Sequence, residues 1–148
     1  MPIPIISGLK MKKDLEVLGN GLVICHIEVI TPLKSGQNKI HLKALVDTGA
    51  EISFICKTVY EQMVVNEAMK GKIGASTLDA EIDDFITYPM KIRIYSDYAN
   101  WTILDEEFLM TVRDLTKRKE YQAIIGADIL KHLSFVYNGV EGRAWFNE

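Results

Sequence analysis

Between Leu22 and Phe146 the chain is cut into short runs rich in β-branched residues, each stopped by turn formers. This pattern restricts the fold more than any other feature of the sequence. Leu22 to Ile30 reads as a strand, and Thr31-Pro32 with Lys34 to Asn38 reads as a turn. From Lys39 to Val46, Ile40, Leu42 and Ala44 alternate with Lys39, His41 and Lys43, the period of a strand with one buried face. These two runs form a hairpin that ends at Asp47. Ile52 to Cys56 is another apolar run, and Val59 to Met69 is ambiguous, with room for a helical turn. Lys72 to Thr77 and Glu81 to Thr87 suggest a second hairpin joined near Leu78-Asp79-Ala80. Tyr88 to Tyr95, Trp101 to Leu104, Phe108 to Val112 and Tyr121 to Ile125 read as further strands. Ala127 to Leu133 has helical spacing, and Ser134 to Tyr137 with Arg143 to Phe146 close the chain around Asn138-Gly139. Many short strands and one short helix near the C-terminus predict a mostly-β barrel or sandwich. Residues 1–20, with two prolines and a basic cluster, read as an extended arm, leaving 21–148 as a single domain.

Composition narrows the function classes. The chain has 148 residues, 48% of them hydrophobic and 25% charged, which suits one globular domain with its own core. A formal net charge of −3 argues against nucleic-acid or anionic-membrane partners, which reward dense Lys and Arg. The one compact basic run, Lys117-Arg118-Lys119, reads as a solvated loop. Cys25 and Cys56 each lie among apolar residues and read as buried thiols; without a CxxC spacing a zinc site has little support, and no metal or cofactor is expected. Neither a signal peptide nor a run of roughly 20 apolar residues is seen, so the expected setting is cytoplasmic, or a virion or mobile-element particle.

The strongest local feature is Leu45-Val46-Asp47-Thr48-Gly49-Ala50. An acid follows apolar strand residues and is followed at once by a turn. Burying a carboxylate is costly unless something binds it. Thr48 offers a hydroxyl to lock the turn, and Gly49 allows a tight bend and close approach of another group. A carboxylate can be presented in this way on a rigid loop. The tripeptide alone is equally compatible with an ordinary turn after a strand.

A second segment, Ala123-Ile124-Ile125-Gly126-Ala127-Asp128-Ile129-Leu130, lies far downstream. Together with Leu45 to Ser53 it resembles the paired signature of the retropepsin family, the aspartic proteases of retroviruses, pararetroviruses and long-terminal-repeat elements and of some cellular and bacterial relatives. The resemblance spans residues 20 to 146. It implies an acid-protease barrel with its active site at a homodimer interface. Asp47 would be the catalytic aspartate, and Thr48 and Gly49 would hold the loops of two subunits together. Ala50 and Glu51 would line the substrate groove, Ile124, Ile125 and Gly126 would pack beneath the loop, and Leu78-Asp79-Ala80 would form the tip of a flap over substrate. Because the chain carries one Asp-Thr-Gly, a two-carboxylate mechanism requires a second copy of itself. Two departures from the family pattern stand out. Ala127 occupies the place of an Arg that pairs with the acid after Ala, so Glu51 needs another partner, Arg143 and Lys131 being the alternatives. The flap tip also lacks the glycines of many relatives, and the acids around it (Asp79, Glu81, Asp83, Asp84) read as a solvated hairpin, a preference for basic or polar substrate residues being the alternative. Arg143 to Phe146 could interleave with a second chain in a dimer sheet.

The leading expectation is an endopeptidase that cuts extended polypeptides, its own polyprotein among the candidate substrates. The alternatives are a catalytically silent protease-like domain that binds peptide or dimerises, and an unrelated β-barrel binding module.

Overall fold

The computed structural model describes residues 14–33, 36–63, 67–76, 82–95 and 102–147. In chain order these form β1 (Glu16–Val17), β2 (Val23–Leu33), β3 (Gly36–Val46), β4 (Phe54–Cys56) and helix α1 (Lys57–Glu61). A 3-10 turn at Glu67–Met69 precedes β5 (Gly71–Ser76), β6 (Ile82–Tyr95), β7 (Thr102–Arg113) and β8 (Ala123–Ile125). Helix α2 (Ala127–Leu130), β9 (Ser134–Asn138) and β10 (Arg143–Asn147) follow. The larger sheet runs β1-β2-β3-β8-β4-β7-β6-β5, and β2 also pairs with β6. That extra pairing closes β2, β3, β8, β4, β7 and β6 into a six-stranded barrel. The expected mostly-β barrel with a short C-terminal helix is therefore present. The small helix α1 falls in the stretch that was ambiguous in sequence. Among the described residues no helix is long and apolar enough to cross a membrane.

Alternation of side chains along each strand sorts the apolar residues into two clusters. Val23, Cys25, Ile27 and Val29 of β2 point into the barrel with Leu42, Ala44 and Val46 of β3. Tyr88, Met90, Ile92 and Ile94 of β6, Met110 and Val112 of β7, and Ala123 and Ile125 of β8 complete that core. The opposite faces of the same strands carry Ile24, Leu45 and Ile124, which pack with Cys56, Leu115 and Tyr121 in a smaller outer cluster. Both cysteines are buried, one in each cluster.

Three strand boundaries differ from the sequence expectation. The β2–β3 ladder continues through Thr31↔Asn38, Pro32↔Gln37 and Leu33↔Gly36, across residues read as a turn. The in-phase register from Ile24↔Leu45 onward carries the ladder through local turn formers, and Thr31 is fully buried. Ile82 to Thr87, from the expected stretch Glu81 to Thr87, and Tyr88 to Tyr95 belong to one long strand, β6. Its Pro89 has no N–H to offer a ladder, and it sits between Thr87, where pairing with β5 ends, and Lys91, where pairing with β2 begins. The acidic triplet Asp105-Glu106-Glu107 does not interrupt β7. Asp105 lies opposite Arg93 and within 3.5 Å of Lys91, so cross-strand charge pairing carries the strand through.

Residues 14–18 of the expected arm run along the barrel. Glu16 and Val17 pair with β2, and the Leu15 N–H donates to the Ala144 carbonyl at 2.7 Å. Arg143 grips Asp14 with two hydrogen bonds of 2.9 Å. The β9–β10 hairpin closes around Asn138-Gly139 as expected, so β10 has a strand partner within its own chain.

The least ordinary group in the barrel wall is Glu28, a carboxylate only 5% exposed. Arg93 Nη1 lies 3.0 Å from Glu28 Oε1, and the Tyr95 hydroxyl lies 3.3 Å from the same oxygen. His41 Nε2 stands 3.5 Å from Oε2. Removing one partner of a buried pair strands the other charge, so Arg93→Met should cost about 3 kcal/mol in urea denaturation. The double variant Glu28→Leu with Arg93→Leu should lose less than Arg93→Met alone. A second expectation concerns Asp14. Its hydrogen bonds to Arg143 hold the carboxyl below the ordinary aspartate range. The contact is therefore complete above the ordinary aspartate range and is lost only as pH falls through the lowered value. Carboxyl ¹³C titration should show this lowered midpoint in the native chain and its return toward normal in Arg143→Gln.

Candidate active site

Strand β8 lies between β3 and β4, parallel to the first and antiparallel to the second. The chain leaves β3 at Val46, turns through Asp47 to Ser53, and returns as β4 on the far side of β8. The loop must therefore arch over the end of β8, and the backbone of that end fixes its shape. The Asp47 N–H donates to the Ile125 carbonyl at 2.9 Å, extending the Val46↔Ile125 pairing by one residue. The Ala50 N–H donates to the Asp47 carbonyl at 3.2 Å and closes the turn. The Gly49 N–H donates to Asp47 Oδ1 at 2.9 Å, so the loop's own backbone orients the carboxylate. Asp47 is half-buried, and Thr48 and Gly49 are exposed at the tip.

The other wall of the loop is the start of α2. A helix leaves its first amides without internal acceptors. Here the Ala127 N–H donates to the Ala50 carbonyl at 2.7 Å and the Asp128 N–H to the Glu51 carbonyl at 3.3 Å. Gly126, just before the helix, has no space for a side chain. A Cβ there would stand 2.6 Å from the Ile52 carbonyl oxygen and 2.7 Å from that of Ala50. The glycine is required by this contact with the loop backbone.

A polar clamp buried beneath the loop completes the arrangement. Ser53, fully buried, donates its hydroxyl to Asp128 Oδ1 at 2.6 Å and its N–H to Asp128 Oδ2 at 3.1 Å. The Ser53 Oγ in turn accepts from the Gly126 N–H at 2.9 Å. Asp128 Oδ1 also accepts from the Ile129 N–H at 2.9 Å. Asp128 is thereby bound through both oxygens and is positioned to brace the loop. Neither Ser53 nor Asp128 was assigned a role from sequence. The signal was a lone hydroxyl inside the apolar run Ile52 to Cys56 and a second acid inside the downstream motif.

The structure brings Asp47, Thr48, Gly49, Ala50 and Glu51 together on one loop, with Ile124, Ile125 and Gly126 directly under it. Ala50 packs against the outer cluster that contains Ile124. The proposed flap tip, Leu78-Asp79-Ala80, lies outside the described residues. The strands leading to and from it do pair, from Gly71↔Thr87 to Ser76↔Ile82. One expectation needs correction. Arg143 is bound to Asp14, with Glu141 3.6 Å away, so it does not serve Glu51. Among the described residues Glu51 has no ion-pair partner, and its exposed position lets water solvate the charge.

Replacing Ser53 with Ala would leave the buried Gly126 N–H without its acceptor and remove the hydroxyl donor to Asp128 Oδ1, which would keep only the Ile129 N–H. The expected loss is about 2 kcal/mol by chemical denaturation. Gly126→Ala should be worse, because backbone carbonyls have to move to admit the methyl group, and it should yield little folded protein by circular dichroism.

Comparison with known proteins supports this architecture. No family model and no curated protein matches the chain. Among solved structures it is similar to a retropepsin-like aspartic protease from Rickettsia conorii, with 13% identity and a TM-score of 0.51. The similarity covers 86% of this chain and 85% of that one. At that identity the likeness is one of fold, and the barrel described above is a retropepsin-like barrel.

Proposed function

We propose that this chain is an aspartic endopeptidase, active as a homodimer, with Asp47 as its catalytic residue. The observation that carries the reading is the Asp47 loop: a carboxylate fixed by a Gly49 N–H, on a turn bonded to the end of β8 and the start of α2, with Thr48 and Gly49 exposed beside it. One copy supplies one such carboxylate. A two-fold axis near the loop tip would bring two of them together, Thr48 and Gly49 forming the contact. The Ala50 and Glu51 edge would hold the substrate backbone, and the hairpin of β5 and β6 would cover it through Leu78-Asp79-Ala80. The catalytic unit would be residues 21–148, with 1–20 as an arm.

Two carboxylates about 3 Å apart do not both ionise, so they share one proton. The ionised member takes a proton from a water molecule lying between them, and the water oxygen bonds to the scissile carbonyl carbon. The protonated member donates to the carbonyl oxygen as charge develops there. Collapse of the tetrahedral intermediate breaks the C–N bond, and a carboxyl proton passes to the departing nitrogen. No cofactor is required. An extended substrate would add its backbone as a strand between flap and floor, which suits unfolded segments or linkers of a polyprotein. Retroviral, mobile-element and cellular settings all supply such substrates.

The test is proteolysis of a peptide library by the purified chain beside Asp47→Asn. Cleavage by the native chain, its loss in the variant, inhibition by a hydroxyl-bearing transition-state analogue and a dimeric mass by light scattering are expected together. A folded dimer that cleaves nothing would replace this reading with a silent peptide-binding domain, and a monomer at high concentration would remove the composite site. A second expectation rests on Ala50. A serine there could donate a hydrogen bond to the carboxylates and favour their charged form, which alanine cannot. Ala50→Ser should therefore move the acid limb of the pH–rate profile to lower pH, and a native optimum near pH 3 would contradict the argument.

A further inference from the structure

Beside the loop, the chain between β7 and β8 borders a cavity of about 430 Å³. Its apolar lining comes from the buried residues Leu115, Tyr121 and Ile124. Its rim carries three cations, Arg113, Lys117 and Arg118, against one carboxylate, Asp114. Asp114 accepts from the Thr116 hydroxyl at 2.6 Å and the Thr116 N–H at 2.9 Å; these bonds, with the charges of Lys57 and Lys117, hold its carboxyl below the ordinary aspartate range, so it offsets one of the three positive charges and the rim stays net positive. Among the described residues no carboxylate lies within ion-pair distance of Arg113, Lys117 or Arg118. The Arg113 guanidinium stands 5.3 Å over the Phe54 ring, a contact that orients the cation and leaves its charge in place. Two of the three residues in the basic run Lys117-Arg118-Lys119 thus border an apolar-floored cavity instead of solvent alone.

The cavity shares Ile124 with the packing beneath the Asp47 loop. Ile124 lies abreast of Leu45, two residues before Asp47, which is about 7 Å along a strand. Ile124, Leu45, Ala50 and Phe54 belong to one apolar cluster that runs from the cavity floor to the Asp47 loop. A peptide lying extended across that loop can drop a nearby side chain into the cavity. An apolar floor beneath unpaired cations suits a side chain with a hydrocarbon stem and a carboxylate end, and it repels a lysine.

We infer that this cavity is a specificity pocket for a glutamate or aspartate side chain within three residues of the scissile bond. The inference rests on the endopeptidase reading above and deepens it. It can be tested with peptides that differ only by Glu, Gln or Lys at one position, moved through three positions on each side of the cleaved bond. At one of these positions kcat/KM should follow Glu, then Gln, then Lys, with Glu over Lys by about tenfold at low salt and less as salt is added. The double variant Lys117→Glu with Arg118→Glu should invert the Glu-to-Lys ratio at that position. This ratio, taken within one enzyme preparation, is independent of the fraction folded. Equal cleavage of all three peptides at every position, or an unchanged ratio in the double variant, would overturn the pocket and leave the peptidase standing. Absence of any turnover, on peptides of every charge, would overturn both.

Discussion

The bond from the Asp47 N–H to the Ile125 carbonyl is the contact around which this chain is arranged. It exists because β8, from near the end of the sequence, lies between β3 and β4, from its first half. The β3 strand cannot turn directly into its sequence neighbour β4, since β8 occupies the space between them. The chain has to climb over the end of β8, and the Asp47 N–H, the Ala50 and Glu51 carbonyls and the Ser53 N–H all find partners at the β8–α2 junction. A loop with such partners is far more rigid than one whose amides face water. An acid at its first position acquires a fixed direction from the barrel, with no need for further side chains to aim it.

The junction also explains the use of polar groups in a buried place. Backbone density under the loop is high enough to exclude a side chain at Gly126. Where backbones approach that closely, amides outnumber accessible carbonyls, and side-chain acceptors must make up the difference. Ser53 does so by accepting from the Gly126 N–H, and Asp128 anchors Ser53 in turn with a short, charge-assisted bond. A half-satisfied buried network is worse than an apolar one, so the two residues function as a unit. On the proposed reading this division of labour is useful chemically. The acid of α2 is consumed in bracing, and the acid of the loop keeps one oxygen clear of its own backbone for the reaction.

Much of this was legible in sequence because it rests on short-range signals. Strand period, turn formers and the two motifs located the barrel, the loop and the short helix. What escaped was set by partners distant in sequence. Thr31-Pro32 and Lys34 to Asn38 looked like a turn, yet a hairpin in register from Ile24↔Leu45 pulled Thr31 and Pro32, with Gly36 to Asn38, into the ladder. The acidic stretch 105–107 looked like a break, yet Arg93 and Lys91 on the neighbouring strand pair with its first member, Asp105. Ser53 and Asp128 are 75 residues apart, and neither declares its role alone. Arg143 was a sensible partner for Glu51 by charge, but β10 carries it to Asp14 at the far end of the described chain. Local pattern predicts which elements form; it cannot predict which charges meet.

The same distinction bears on specificity. A barrel of this kind buries its charges only where they are paired, as Glu28 and Arg93 are in the wall between β2 and β6. The cationic rim beside Tyr121 and Ile124 differs: its three exposed cations, Arg113, Lys117 and Arg118, outnumber its one carboxylate, Asp114, and leave a net positive charge next to apolar surface. Mere solvation of a surface loop needs no such surface, since water screens exposed lysines wherever they stand. Charge left unpaired over apolar surface favours an anionic occupant, and the position of Ile124 between that surface and Leu45 makes a side chain of a bound peptide the occupant best placed to reach it.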